Sequence, residues 1–221
     1  MAHPKGGYKN ASGKKVPSVT TIIGRFKNSN ALLFWAFEQG KCAERGEIEN
    51  LYDKRDAAAD AGTLAHSLVE CHINGVKNPI IPDDETGQKA RQGFQNYLTW
   101  QENNKIQIIE QEVGLVSEKY QYAGCLDAIG IDSNMNLCIL DWKTSNGVYV
   151  DYLIQIAAYK ALWEENFPDK PILGGYHLLR FSKDHADFAH HYFNELEDAW
   201  EQFKLFIQCY EIDKRLVKRA K

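Results

Sequence analysis

The stretch Leu137 to Ser145, which reads Leu-Cys-Ile-Leu-Asp-Trp-Lys-Thr-Ser, constrains the fold more than any other part of the chain. Its first four residues are apolar, so they predict a central strand in a sheet that is covered on both faces. The strand then ends in an acid, an aromatic residue and a base. Side chains two residues apart project from the same face of a strand, so Asp141 and Lys143 are predicted neighbours, whereas Trp142 points into the covering layer.

The preceding predicted strand supplies a second acid, Asp127. Residues 127 and 141 are symmetric about Asn134 in the intervening turn, so antiparallel pairing brings their carboxylates together. Their repulsion costs about 1 kcal/mol or more at an effective dielectric constant of about 20, unless a cation lies between them. Mg²⁺ typically binds one or two protein carboxylates and keeps its other positions for water and phosphate oxygens. The pattern is compatible with a metal site, but an Asp141–Lys143 salt bridge with Asp127 in a turn explains these strands equally well.

Hydrophobic periodicity places this strand among alternating helices and strands. Helices are predicted from a Ser29-Asn30 cap onward and over 57–71, 85–102, 151–166 and 194–217. Strands are predicted over 106–116, 120–131, 136–143, 172–181 and 188–192, the first three as a meander. This order predicts an α/β fold in which helices cover both faces of a sheet.

The expected domain organisation follows from the same elements. Residues 1–16 are rich in Gly, Lys and Asn and predict a flexible polar lead-in, and 17–221 predict one domain. Within that domain the expected parts are a helical N-terminal part, a sheet core and a C-terminal helix, over 17–104, 105–193 and 194–221.

Composition limits the setting and the partners. The net charge of −4 does not by itself predict a nucleic-acid partner, so any such contact is expected to be local. The apolar runs are too short to cross a bilayer, and the N-terminal residues lack the apolar core of a secretory signal. Five scattered cysteines suggest neither disulfides nor a zinc ribbon. We therefore expect an intracellular protein with no membrane partner.

The helix after the central strand carries a polar pair. Gln155 and Tyr159 are four residues apart and share one face of an otherwise apolar helix. Taken alone, such a pair is usually polar packing at the edge of a core. Its position directly after an Asp-x-Lys strand makes it part of a larger pattern.

That pattern resembles a known family. The motifs are, in chain order, His66, Glu112, Gly124-Cys125-Leu126-Asp127, Asp141-Trp142-Lys143-Thr144-Ser145 and Gln155-x-x-x-Tyr159. Together they are similar to those of the RecB-like branch of the PD-(D/E)XK nuclease superfamily. Within it the chain is most similar to mitochondrial genome-maintenance exonucleases and their phage and bacterial relatives, which also carry an element like Pro17-Ser-Val-Thr. The resemblance implies a restriction-endonuclease-like core, a mixed central sheet flanked by helices, with a helical N-terminal elaboration.

The resemblance also implies a metal-dependent active site. Asp127, Asp141 and the main-chain carbonyl of Trp142 would bind Mg²⁺ or Mn²⁺, with His66 as a further ligand. Lys143 would join Asp127 and Asp141 as a catalytic residue that positions or activates the attacking water. Such a metal ion polarises the phosphate and stabilises the leaving oxygen.

A second group of residues is implied to face the substrate. By the same resemblance, Gln155 and Tyr159 would hold the scissile phosphate or the nearby strand. The hydroxyls of Thr144 and Ser145 stand where they would contact a phosphate oxygen. Glu112 matches an acidic position on the first strand and is expected to orient the site.

The expected activity is exonuclease digestion of single-stranded DNA or DNA ends in replication, recombination or repair. Some members of the branch hold an iron–sulfur cluster through one early and three late cysteines. Here only Cys209 lies near the C-terminus, so no cluster is expected. One alternative is a structure-specific or sequence-specific endonuclease on the same core. The other is a DNA-binding protein without catalysis.

Overall fold

The computed structural model describes residues 6–27, 30–47, 53–77, 79–181 and 188–220. In these residues helices precede, interrupt and follow a five-stranded sheet. The order is α1 (Val19–Phe26), α2 (Asn30–Glu44), α3 (Asp53–Ile73), α4 (Glu85–Asn104), β1 (Gln107–Ser117), β2 (Tyr122–Ile131), β3 (Leu137–Thr144), α5 (Val150–Asn166), β4 (Ile172–Phe181), β5 (Phe188–Phe193) and α6 (Glu197–Arg219). No helix of the described residues is both long enough and apolar enough to cross a membrane.

The sheet has the strand order β1-β2-β3-β4-β5. Strands β1, β2 and β3 form the predicted antiparallel meander. β4 then pairs with β3 in parallel, and β5 pairs with β4 antiparallel. A parallel neighbour requires a crossover connection, and α5 provides it. The sheet is therefore mixed, and the predicted α/β fold with a helical N-terminal part is confirmed.

Each face of the sheet packs against its own helices. Ile139 of β3 belongs to a core that includes α1, α5 and α6, whereas Leu140 belongs to a second core with α3 and α4. Trp142 joins the second core, where its ring meets Tyr97 of α4 edge to face at 5.9 Å. The prediction that β3 is central and buried on both faces is thereby confirmed.

Helix α1 falls within the predicted helical N-terminal part, 17–104, but the sequence pattern does not mark it as a separate helix. Its run of Val, Thr and Ile favours a strand by composition. However, the hydroxyl of Ser18 accepts a hydrogen bond from the main-chain N–H of Thr21 at 3.1 Å and so caps a helix. Val19, Ile22 and Ile23 are then buried on one face. The proposed cap at Ser29, before α2, lies outside the described residues.

The N-terminal segment also differs from its prediction. Where composition predicts a flexible lead-in over 1–16, residues 6–16 form a small hairpin closed by a bridge between Lys9 and Lys15. The side-chain amide of Asn10 donates a hydrogen bond to that of Gln121 at 2.8 Å. This contact holds the hairpin against the turn between β1 and β2. Residues 1–5 lie outside the described residues.

Candidate active site

Strands β2 and β3 separate where the two predicted acids lie. Their pairing runs from Ile131↔Leu137 to Ala128↔Leu140, a register that puts Asp127 and Asp141 next in line. Beyond that point the main-chain N–H of Trp142 donates a hydrogen bond to Oδ2 of Asp127 at 2.9 Å. The carboxylate of Asp127 thus takes the place of the next main-chain hydrogen bond between the two strands. We call this opening, bounded by Asp127 on β2 and by Asp141, Trp142 and Lys143 on β3, the fork.

Asp141 and Lys143 form a buried ion pair in the fork. Nζ of Lys143 lies 2.6 Å from Oδ2 of Asp141, and the two side chains are 14% and 1% exposed. Within the described residues, neither oxygen of Asp141 makes a hydrogen bond of ordinary geometry. Burial of this carboxylate is costly, because the ammonium of Lys143 replaces only part of the hydration that it loses.

The electrostatics of the fork reflect two acids around one cation. Burial raises the pKa of Asp141 above its ordinary value; the ammonium of Lys143 opposes this rise, and the charge of Asp127 adds to it. For Lys143, burial lowers the pKa, but the carboxylates of Asp141 and Asp127 outweigh burial and raise it overall. Both acids therefore interact with the single positive charge of Lys143.

The fork fits a hard divalent cation by its donor chemistry. Two carboxylates and the main-chain carbonyl of Trp142 are oxygen donors of the kind that Mg²⁺ and Mn²⁺ prefer. The buried oxygens of Asp141, which contact the ammonium of Lys143 but make no hydrogen bond of ordinary geometry within the described residues, would gain a further partner in such an ion. Among the described residues, however, no three side chains of the His, Cys, Asp or Glu types come together as a ligand group.

His66 lies on α3, on the opposite side of the sheet from α5. Gly62, one helical turn before His66, packs directly on Thr144 at the end of β3. A Cβ at position 62 would lie 1.9 Å from Cγ2 of Thr144, so the close approach of α3 to β3 depends on this glycine. The helix therefore runs past the fork, but the structure does not join His66 with Asp127 and Asp141 in one ligand group.

On its other side the fork is covered by α5. Nε2 of Gln155 donates a hydrogen bond to the hydroxyl of Tyr159 at 2.7 Å, so the predicted pair is in contact. Burial and the charge of Asp141 raise the pKa of Tyr159 well above its ordinary value. Gly124 makes room for this ring, because a Cβ there would lie 2.6 Å from Cε1 of Tyr159. Tyr159 thus lies close enough to both acids to interact with their charges, and Gln155 is bonded to it.

The two hydroxyl residues after Lys143 are placed differently from each other. Ser145 is buried, and its hydroxyl donates a hydrogen bond to the carbonyl of Gly147 at 2.8 Å. Its main-chain N–H donates to the carbonyl of Phe181, and its own carbonyl accepts from Arg180. Ser145 therefore shapes the turn after β3. Thr144 is half-buried beneath α3, on the side away from α5.

Glu112 lies opposite Asp127 in the register of β1 and β2, between the pairs Gln111↔Ala128 and Val113↔Leu126. Its backbone is left-handed, with φ at +51°, which is uncommon for a residue other than glycine. Sγ of Cys125 donates a long hydrogen bond to Oε2 of Glu112 at 4.0 Å. Burial, with help from Glu112, raises the pKa of Cys125 to about 11, so its thiol stays protonated.

Two tyrosines at the start of α5 extend the site beyond the predicted residues. Nζ of Lys143 lies 5.4 Å from the ring centroid of Tyr152. The ring of Tyr152 meets that of Tyr149 edge to face at 5.4 Å. The sequence signal that could have found them is an aromatic pair, three residues apart, just after the Asp-x-Lys strand.

A separate cavity of about 590 Å³ lies between α1 and α6. Its charged lining includes Lys214, Lys218 and the ion pair of Arg25 with Asp213, whose atoms are 2.6 Å apart. This cavity lacks a pair of acids, so the chemistry predicted from the sequence belongs to the fork.

Comparison with known proteins gives partial structural likenesses. No family model and no curated protein matches the chain. One similar solved structure is a protein described as "Putative exonuclease" from Eubacterium rectale, at 17% identity and a TM-score of 0.44. Another is the protein SSO0001, at 19% identity and a TM-score of 0.33. The first match covers 66% of this chain and 64% of the other protein. The second covers 55% of each. Both matches therefore span less than two thirds of the other protein's length. Likeness at this level does not assign a function.

Proposed function

We propose that this protein is a divalent-metal-dependent deoxyribonuclease of the PD-(D/E)XK type. In this proposal it hydrolyses phosphodiester bonds as an exonuclease on single-stranded DNA or DNA ends. The observation that carries the proposal is the buried Asp141–Lys143 pair, with Asp127 beside it, where β2 and β3 separate. The order of motifs along the chain supports the same reading.

Asp127, Asp141 and the carbonyl of Trp142 would hold Mg²⁺ or Mn²⁺ in the fork. When bound, such an ion polarises the phosphate and lowers the pKa of a water molecule. Asp127 already holds the main chain of β3 through Trp142, so it fixes the spacing of the fork as well as supplying an oxygen. His66 as a further ligand stays a prediction from the resemblance.

Lys143 would supply positive charge next to the anion that develops at the phosphate. Asp141 holds its ammonium group at 2.6 Å, so the charge is fixed in place before substrate arrives. Preorganised charge of this kind stabilises a transition state without reorganisation during the reaction.

Gln155 would contact the scissile phosphate or the nearby strand, and Tyr159 would hold its amide in place. The hydrogen bond between them uses one N–H of the amide and leaves the second available to a phosphate oxygen. We assign Ser145 a structural role in the turn, because its hydroxyl already has a partner. Thr144 and Glu112 are proposed to position the strands around the fork.

The test is a degradation assay with labelled single-stranded DNA and either Mg²⁺ or Mn²⁺. Wild type should degrade the DNA, and Asp141→Asn and Lys143→Ala should not. Asp198→Asn and Lys204→Ala are matched controls on α6, outside the fork: Asp198 is exposed, and Lys204 pairs with Glu201 of its own helix. Equal degradation by all five proteins would show that the activity is a contaminant and would overturn the proposal.

Closed circular single-stranded DNA separates the exonuclease from its alternatives. An exonuclease leaves a circle intact and degrades the same molecule after linearisation. Rapid cutting of the circle would support the endonuclease alternative. Binding of both forms without cleavage in either metal would support a DNA-binding protein without catalysis.

A further inference from the structure

The side chain of Tyr149 does not cap the helix α5 that begins after it. It is the N-cap residue of α5, with extended backbone angles and no side-chain hydrogen bond to the first turn. N-cap positions favour Ser, Thr, Asp and Asn, whose oxygens accept such bonds. The ring is also 53% exposed, and the next residue, Val150, is exposed as well. Neither capping nor burial explains a tyrosine here.

Tyr149 is nevertheless connected to the fork through a short series of contacts. Its ring meets that of Tyr152 at 5.4 Å with an interplanar angle of 82°, and Tyr152 lies beneath Nζ of Lys143 at 5.4 Å. The main-chain N–H of Tyr152 donates to the carbonyl of Tyr149 at 3.0 Å. Nζ of Lys27, the residue that follows α1, lies 3.6 Å from Oδ1 of Asp151 and adds a further contact to this first turn.

The geometry leaves Tyr149 able to accept a planar partner. Because the two tyrosine rings are nearly perpendicular, they do not stack on each other. A nucleobase is the planar group that a nucleic-acid strand would present near a phosphate in the fork. Stacking on an aromatic side chain tolerates any base, since every base has a π-face. Exposed aromatic rings beside a charged site are therefore suited to a single-stranded substrate.

We propose that Tyr149 is a stacking platform for the base of a nucleotide next to the scissile phosphate. This inference rests on the proposed nuclease function and names the part of the substrate that the site grips. Tyr149 acts on binding and on the placement of the strand, and Lys143 with the two acids acts on the phosphate. The two roles are therefore separable by experiment.

The first experiment compares steady-state kinetics on labelled single-stranded DNA. Tyr149→Ala should raise KM by about 5- to 150-fold, the range expected for one lost stacking contact, with little change in kcat. Tyr149→Phe should keep the wild-type KM, because it keeps the ring. The matched control is Tyr192→Ala, which removes a tyrosine of similar exposure, 51%, from the edge strand β5. An unchanged KM for Tyr149→Ala would overturn the proposal.

The second experiment identifies the base by equilibrium binding, without turnover. Oligonucleotides that each carry one abasic residue are bound to wild type and to Tyr149→Ala in metal-free buffer, with fluorescence anisotropy as the readout. Wild type should lose affinity when one particular base is missing, and Tyr149→Ala should not. A penalty that persists in the variant, or no penalty in wild type, would overturn the stacking role. Absence of cleavage by wild type would instead overturn the proposed function, while the binding comparison still tests Tyr149.

Discussion

Two largely buried polar pairs lie on the same sheet, and they differ in how much their burial reduces the stability of the fold. In the fork, Asp141 and Lys143 carry opposite charges, and the carboxylate lacks hydrogen bonds of ordinary geometry. On β4 and β5, Nδ1 of His177 and Nε2 of His190 lie 2.9 Å apart, with the rings nearly coplanar. Burial lowers the pKa of His177 to about 4, so at neutral pH this second pair is uncharged.

The difference separates a pair that fits a structural role from one for which we propose a chemical role. Two neutral imidazoles joined by one hydrogen bond lose little on burial, although Nε2 of His177 has no hydrogen-bond partner in the described residues. A buried ion pair loses the hydration of both charges, and apolar residues of the same volume are often as stable or more stable. Stability alone therefore explains the fork poorly, which agrees with the proposed chemical role.

The largest expected effect comes from replacing the charged pair with apolar residues. The double variant Asp141→Leu/Lys143→Met should reduce DNA cleavage by about 1,000-fold or more, since it removes an acid and the fixed positive charge. Its free energy of unfolding should stay equal to that of wild type or rise by about 1–4 kcal/mol. Chemical denaturation and the cleavage assay measure the two quantities. A double variant that is destabilised by several kcal/mol would mean that the pair is structural after all.

The histidine pair should show the opposite behaviour, with an effect on stability and none on cleavage. Because the folded-state pKa of His177 is depressed to about 4, its contribution to stability is complete above its ordinary pKa and is lost as pH falls toward 4. The loss should reach about 3 kcal/mol, at 1.36 kcal/mol for each pKa unit. Denaturation at pH 7.5 and pH 4.5 tests this, with His177→Phe/His190→Phe as the comparison. The double variant should lose less stability on acidification than wild type; equal losses would contradict the account.

A smaller effect is expected where α3 approaches the fork. Gly62→Ala should destabilise the protein by about 1–3 kcal/mol, because the new Cβ would overlap Thr144 and push α3 away from β3. Gly24→Ala in α1 is the matched control, since nothing lies within 4 Å of its Cβ position. Alanine there should stabilise the helix by up to about 1 kcal/mol. Thermal unfolding of both variants makes the comparison, and equal shifts of the same sign would show that α3 does not pack on Thr144.

Local patterns in the sequence carry much of the fold and part of the site. The apolar run of β3 predicts its central position, and the symmetry of residues 127 and 141 about the turn predicts the register that the structure shows. The i, i+4 spacing of Gln155 and Tyr159 likewise predicts their contact. These features depend on spacing within one element or across one turn, and periodicity describes such spacing well.

Features that depend on distant parts of the chain escaped prediction. The N-terminal hairpin is held by contacts such as that of Asn10 with Gln121, more than a hundred residues away, so its polar composition indicates only flexibility. The left-handed backbone of Glu112 could not be predicted from the sequence, because the residue is not a glycine. The exposure of Tyr149 depends on which residues pack around the start of α5. Tertiary context decides all three.

The most direct test of the fork as a metal-dependent site is the anomalous scattering of crystals soaked in Mn²⁺ with a short single-stranded oligonucleotide. The account predicts an anomalous peak between the carboxylates of Asp127 and Asp141, with a phosphate of the oligonucleotide beside it and Lys143 close by. An oligonucleotide bound elsewhere, with no manganese in the fork, would contradict the account.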